Sequence, residues 1–361
     1  MSNITIMKKF GTIFLAFLAI IVFASWQYRL LCLLLIVIIN RKWFQEKLNA
    51  HWTHTYRTLV IVMAVLIFAC LPNYWQRGRT QLHYLDANGK RANTPALVYI
   101  ANVIFPEKEV MNLCMKAVAI CPKQLIKNNR FAMDAKRDFW RGKAWGFYKP
   151  YNRLSLQGSN PGSFAIAQTM NQVLKTQHDA IYITLPTNFD AAKTYPVVVF
   201  CHGYMGSWKL YHGIFSRLKN CIVIGIGTRD LGGKSFNIKN VLSKYLPYLE
   251  SLGYSIDYKQ LHLIGLSNGG QASKSAWKYY DNKFKTITFL STGSPSVKKS
   301  QSKVLLIGGK DCNSMPMIAK QLNAIGTKTA IYHDNKENHY ILTYHTQKII
   351  QFLNKEMELI D

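Results

Sequence analysis

One serine in this chain of 361 residues stands in a setting that chemistry can use. Ser267 lies in Gly265-Leu266-Ser267-Asn268-Gly269-Gly270, directly after the apolar run Leu261-His262-Leu263-Ile264 and before a helical pattern from Gln271 to Tyr280. A serine hydroxyl is a weak nucleophile until a base takes its proton, and it must stand where a substrate can reach it. A tight strand-to-helix turn presents it, with glycines on either side because neighbouring Cβ atoms would collide with the packed strand and helix. The same turn aims a helix amino terminus at developing negative charge. A G-x-S-x-G match alone arises by chance about once in eight chains of this size, so its position between strand and helix is what separates it from an ordinary glycine-flanked turn.

Two further residues could complete a proton relay with it. Asp311, in Gly308-Gly309-Lys310-Asp311, closely follows the apolar run Val304 to Ile307, at a carboxyl strand end where active-site residues of open α/β sheets collect. Its alternative is to cap the helix near Pro316. His339, in Asn338-His339-Tyr340, lies in the loop after Thr329 to Tyr332, and His333 and His345 compete with it for the role of base. No CxxC pair occurs among the seven cysteines, and a helical Cys114 and Cys121 would stand about 10 Å apart, too far for a disulfide. The glycines of Gly225-Ile226-Gly227 and Gly232-Gly233 lack the spacing and lysine of a phosphate loop. No metal and no organic cofactor is expected.

The elements that must position these residues form a regular alternation. Strands are read at Ile181 to Leu185, Pro196 to Phe200, Cys221 to Ile224, Leu261 to Ile264, Thr286 to Leu290, Val304 to Ile307 and Thr329 to Tyr332. Helical patterns lie between them, at 241–252 with Gly253 as a stop and a kink at Pro247, then at 271–280, 316–325 and 346–356. Strands alternating with helices imply an α/β fold with a mostly parallel sheet covered on both faces.

With its motifs in this order the chain resembles the α/β-hydrolase superfamily, and within it the esterase, dienelactone-hydrolase-like and prolyl-peptidase-like serine hydrolases. The resemblance covers about residues 179 to 361. It rests on Tyr195-Pro196-Val197-Val198-Val199-Phe200-Cys201-His202-Gly203, the turn at Ser267, Gly308-Gly309-Lys310-Asp311 and Asn338-His339-Tyr340. It implies a triad of Ser267, Asp311 and His339, in the fold's sequence order Ser, Asp, His, and an oxyanion hole from the backbone N–H groups of Asn268 and Tyr204. Tyr204-Met205-Gly206-Ser207 departs from the HGGG of many lipases, which leaves the second donor less defined. The implied activity is ester cleavage through an acyl-enzyme, with a peptidase, an acyltransferase or a non-catalytic binding module as alternatives on the same fold. The expected substrate is a small molecule, a lipid ester or a peptide.

Composition adds the setting. Hydrophobic residues are 49% and charged residues only 17%, which excludes global disorder and favours membrane contact. Apolar runs occupy Phe10 to Trp26, Leu30 to Ile39 and Leu59 to Leu71, so residues 1–72 read as a membrane region with two or three transmembrane helices. The second run either forms its own span or extends the first into one long tilted helix. Three spans place both basic clusters, Lys8 and Lys9 and the loop with Arg41, Lys42, Lys47 and Arg57, on the cytoplasmic side and export the rest, as at a bacterial-type inner membrane. A cleaved signal peptide is the rival for the first run. Residues 73–178 are read as a linker or cap, and 179–361 as the catalytic domain. The net charge of +27 divides into +6 on the first 72 residues and +21 spread over the rest. Without zinc-finger spacing or an RNA-binding aromatic signature, this points to an anionic bilayer and away from nucleic acid.

Overall fold

The computed structural model describes residues 3–17, 26–42, 57–58, 60–62, 80–93, 107–143, 178–203, 209–227 and 236–359. The chain forms two compact units, one from Met1–Gln76 and Phe105–Gly142, the other from Arg77–Ile104 and Lys143–Asp361.

The first unit is helical: α1 (Asn3–Phe17), α2 (Trp26–Ile39), α3 (Glu107–Ile120), α4 (Lys123–Ile126) and α5 (Arg130–Trp140). Asn40 Nδ2 donates to Thr12 Oγ1 at 2.8 Å and to Ile36 O at 2.8 Å. This tie lays α1 beside α2, which overturns the option that the first two apolar runs form one long helix: in a continuous helix Thr12 and Asn40 would stand about 42 Å apart. Among the described residues no helix is long and apolar enough to cross a membrane. The end of the first apolar run and most of the third lie outside the described residues. Met7, Phe10 and Ile13 on α1 are strongly exposed. Helix α3 ends at Ile120, and Pro122 opens α4.

The second unit is built on one nine-stranded sheet. Its strands are β1 (Thr80–Leu85), β2 (Arg91–Ala92), β3 (Asp179–Thr184), β4 (Thr194–Cys201), β5 (Ile222–Gly227), β6 (Ser255–Leu266), β7 (Thr286–Leu290), β8 (Lys303–Gly309) and β9 (Thr329–Asp334), in the order β2-β1-β3-β5-β4-β6-β7-β8-β9. From β5 to β9 across the sheet every pairing is parallel, while β2, β1 and β3 join antiparallel at one edge. Val197, Val198, Val199, Phe200 and Cys201 are fully buried, as a strand covered on both faces requires.

Alternation along the strands divides the packing. Val197, Val199, Leu261, Leu263, Ile287 and Leu306 share a core with residues of three helices. These are α7, which runs through Ile238–Asn240, Val241–Tyr245 and Leu246–Ser251, then α8 (Gly270–Tyr279) and α9 (Met315–Ala324). Side chains one residue along point the other way. There α6 (Lys209–Phe215) places Phe215 against Phe200, with ring centroids 4.7 Å apart. The last elements are α10 (Ile341–Tyr344) and α11 (Thr346–Glu356).

Two departures from the sequence reading have physical causes. The kink expected at Pro247 takes the form of a π-turn, Val241–Tyr245, closed by Leu246 N–H donating to Val241 O. Proline lacks an N–H and crowds the carbonyl four residues back, and a widened turn relieves that crowding. Second, the sheet does not begin after residue 178: β1 pairs with β3 from Thr80↔Thr184 to Leu85↔Asp179, so part of the segment read as linker or cap supplies the sheet edge. The buried His83 in β1 disguises the strand, and its Nδ1 is 2.8 Å from Tyr248 Oη on α7.

Candidate active site

The serine stands where β6 turns into α8. Ser267 has φ +53°, a left-handed conformation costing an L-residue roughly 1–2 kcal/mol, and it opens a short 3₁₀ turn, Ser267–Gly269. The flanking glycines make this turn possible. A Cβ on Gly265 would sit 2.5 Å from Gly269 O, and one on Gly269 would sit 2.5 Å from His202 O and closer still to Cys201 O. The elbow is therefore pressed against its own strand on one side and the end of β4 on the other.

Asp311 follows β8 in the turn Lys310–Cys312. The residue at the head of α9 is Ser314, so Asp311 is not the cap of that helix. The loop after β9 carries His339 and is tied down by its own backbone. Lys310 N–H donates to Glu337 O at 2.8 Å, Glu337 N–H to Asp334 O at 3.1 Å, and Tyr340 N–H to Asn338 Oδ1 at 2.9 Å. The Glu337 carboxylate adds an ion pair to Lys143 at 3.2 Å.

These three turns bring Ser267, His339 and Asp311 into one hydrogen-bonded chain. His339 Nδ1 lies 2.8 Å from Asp311 Oδ2, and His339 Nε2 lies 2.9 Å from Ser267 Oγ. The side chains of His339 and Asp311 are 15% and 10% exposed, so the relay is largely shielded from water. With an ionised Asp311 the proton sits on Nδ1, which donates to the carboxylate, and Nε2 accepts from the Ser267 hydroxyl. That is the arrangement in which imidazole can take a proton from serine.

The competing histidines are placed elsewhere. His333 Nε2 is 3.1 Å from Gly309 O, and His345 Nδ1 is 2.9 Å from Tyr332 Oη with its Nε2 3.6 Å from Glu337 Oε1. Both brace the β8–β9 end of the sheet and the loop bearing His339. Glu337, two residues before His339, escaped the sequence reading because a charged loop residue is ordinarily just solvated; its proximity to His339 was the available signal.

Of the two backbone donors expected near the serine, Asn268 follows it directly in the 3₁₀ turn. Tyr204 lies outside the described residues. Its neighbour Gly203 is described, and a Cβ there would come within 3.0 Å of Ser267 Cβ, so the β4 loop passes directly beside the serine. His202 is fully buried with Nδ1 2.7 Å from Gly203 O, which fixes the start of that loop. Among the described residues no group of three or more His, Cys, Asp or Glu is arranged to hold a metal ion. Gly225 lies within β5, where a Cβ would collide with the His212 ring.

Solved structures similar to this chain include esterases and peptidases. A thermostable esterase is 19% identical with a TM-score of 0.40, over 50% of this chain and 60% of that one. The acylaminoacyl peptidase of Pyrococcus horikoshii is 12% identical with a TM-score of 0.41, over 52% and 41%. A ferulic acid esterase is 13% identical with a TM-score of 0.41, over 52% and 95%. The chain thus spans less than two thirds of the esterase and of the peptidase named first. No family model and no curated protein matches the chain.

Proposed function

We propose that the chain is a membrane-anchored serine hydrolase that cleaves ester-type bonds by acyl transfer. The observation that carries this reading is the pair of hydrogen bonds at His339, 2.8 Å to Asp311 and 2.9 Å to Ser267. Ser267 Oγ attacks the substrate carbonyl as its proton passes to His339 Nε2. Asp311 holds the ring with its proton on Nδ1 and stabilises the imidazolium. The backbone N–H groups of Asn268 and Tyr204 are the donors assigned to the tetrahedral oxyanion. His339 returns its proton to the leaving alcohol, then activates the water that releases the acyl group from Ser267.

The anchor is the apolar region of residues 1–72, for which the exposed apolar side chains of α1 offer support. In the three-span arrangement the catalytic unit is exported, where lipid acyl esters are at hand.

The test exposes the full-length protein and Ser267→Ala to a fluorophosphonate probe. Labelling of the first alone is expected, and labelling of neither would overturn the hydrolase reading. Short-chain esters and phospholipids should compete with the probe; competition by peptides alone would move the assignment to a peptidase. A reporter fused to the carboxyl terminus should give an exported signal, and a cytoplasmic one would sink the three-span topology.

A further inference from the structure

We infer that the carboxyl end of α3, together with α4 and the end of α5, is a second membrane contact, an interfacial face that rests on anionic lipid headgroups. Three large apolar side chains protrude there. Ile120 is 78% exposed, Leu125 77% and Trp140 68%, and Phe131 at the start of α5 is also exposed. Trp140 Nε1 donates to Ala119 O at 3.1 Å, which ties the end of α5 to the end of α3, and α4 follows α3 within three residues.

The charge around them is one-sided. Lys123, Lys127, Arg130 and Arg141 are exposed, whereas Asp134 and Asp138, the acidic residues among the described side chains of 111–142, are buried. Arg137 pairs with both inside the unit. Amphipathic helices in water normally turn acidic groups outward and apolar groups inward. Here the large outward side chains are Ile, Leu, Phe and Trp, the outward charges are Lys and Arg, and the polar remainder, Gln124, Asn128 and Asn129, is uncharged, a composition suited to a bilayer interface.

The helix end is also prepared for a place poor in water. Terminal helix carbonyls need partners, and here Lys136 Nζ donates to the carbonyls of Ala119 and Cys121 while Trp140 donates to Ala119. Covering this end with lipid leaves neither of those carbonyls stranded. A second copy of the chain is a poorer occupant, because it would set like charges against one another, whereas anionic headgroups attract them. Membership of the same compact unit as α1 and α2 agrees with a lipid contact. The inference does not depend on the hydrolase reading.

The test places the full-length protein in nanodiscs carrying a photoactivatable phospholipid, with or without phosphatidylglycerol, and maps lipid adducts by mass spectrometry. Adducts are expected on peptides covering 113–142 when phosphatidylglycerol is present. They should fall by about tenfold or more in all-phosphatidylcholine discs and in Lys123→Gln combined with Lys127→Gln. Ile120→Gln combined with Leu125→Gln should lose them too, and since both side chains are exposed the fold should be unaffected. Adducts confined to residues 3–62 would overturn the second contact while leaving the anchor standing. Adducts on neither region would overturn both, and cross-links joining this face between copies would assign it to a dimer.

Discussion

Gly269→Ala tests whether the elbow's closeness to β4 matters to the chemistry. The added Cβ would stand 2.5 Å from His202 O and nearer still to Cys201 O, both backbone carbonyls in a fully buried strand end. Restoring roughly 3.3 Å, a short but common C···O approach, requires the turn and β4 to separate by about 1 Å. The backbone of the His339 loop is tied to Lys310, so His339 is anchored apart from the elbow and reaches it through its side-chain contact to Ser267 Oγ. The separation therefore falls between Ser267 and the groups meant to act with it. Misplacement of about 1 Å costs on the order of 100-fold in rate. Gly293→Ala is the control, since its Cβ would meet only the Lys274 ammonium end, at 3.2 Å, which can swing aside. The assay is the second-order rate of fluorophosphonate labelling, together with kcat/KM on an activated short-chain ester and circular dichroism of both variants. A Gly269→Ala protein that stays folded and reacts within threefold of the parent would refute the reasoning.

Asp311→Asn should lower kcat on an activated ester by about 10⁴-fold with the fold intact, because an amide can donate to Nδ1 and drive the ring proton to Nε2, where it blocks acceptance from Ser267; a loss under tenfold would remove Asp311 from the relay. Acid should weaken the α/β unit through three histidines that stay neutral when folded. Burial, with Arg91 assisting, lowers His83 to about 4; burial and His202 lower His212 to about 3; burial and Lys285, opposed by Glu358, lower His262 to about 3. Each takes up its proton near pH 6.5 when unfolded, so stability is complete above that pH and falls as pH drops toward 4, by about 1.4 kcal/mol per pH unit for each proton. Denaturant unfolding of His262→Gln should show a slope shallower by about one proton, and an unchanged slope would exclude its contribution.

Much of the α/β unit was legible because buried parallel strands write themselves as unbroken apolar runs. Thr286–Leu290 matches the sequence reading residue for residue, and the other central strands lie within a few residues of it except β6, which begins six residues earlier, at Ser255. Ser267 and Asp311 could be found for a related reason, since each follows such a strand by a short gap, while His339 comes five residues after the half-buried β9. What lay hidden did so where packing overrides composition. The β1 run Thr-Gln-Leu-His-Tyr-Leu looks polar until His83 finds the Tyr248 hydroxyl. Helix α5 buries its aspartates and exposes its tryptophan, so its periodicity points the wrong way. Glu337 acts through contacts to Lys143, 194 positions earlier, which no local pattern can carry.

The pairing of β1 with β3 sets an order of events as the chain is made. Thr80 must wait for Thr184, 104 residues downstream, while all of α3 to α5 is synthesised in between and joins the other unit. Closing so long a loop is entropically expensive and slow, so the β1–β2 hairpin should be among the last pieces to lock in. A fragment begun at residue 143 or 179 would then present β3 as a naked edge, inviting intermolecular strand pairing. Any soluble version of the α/β unit must carry residues 80–92 along with it, by fusion or circular permutation.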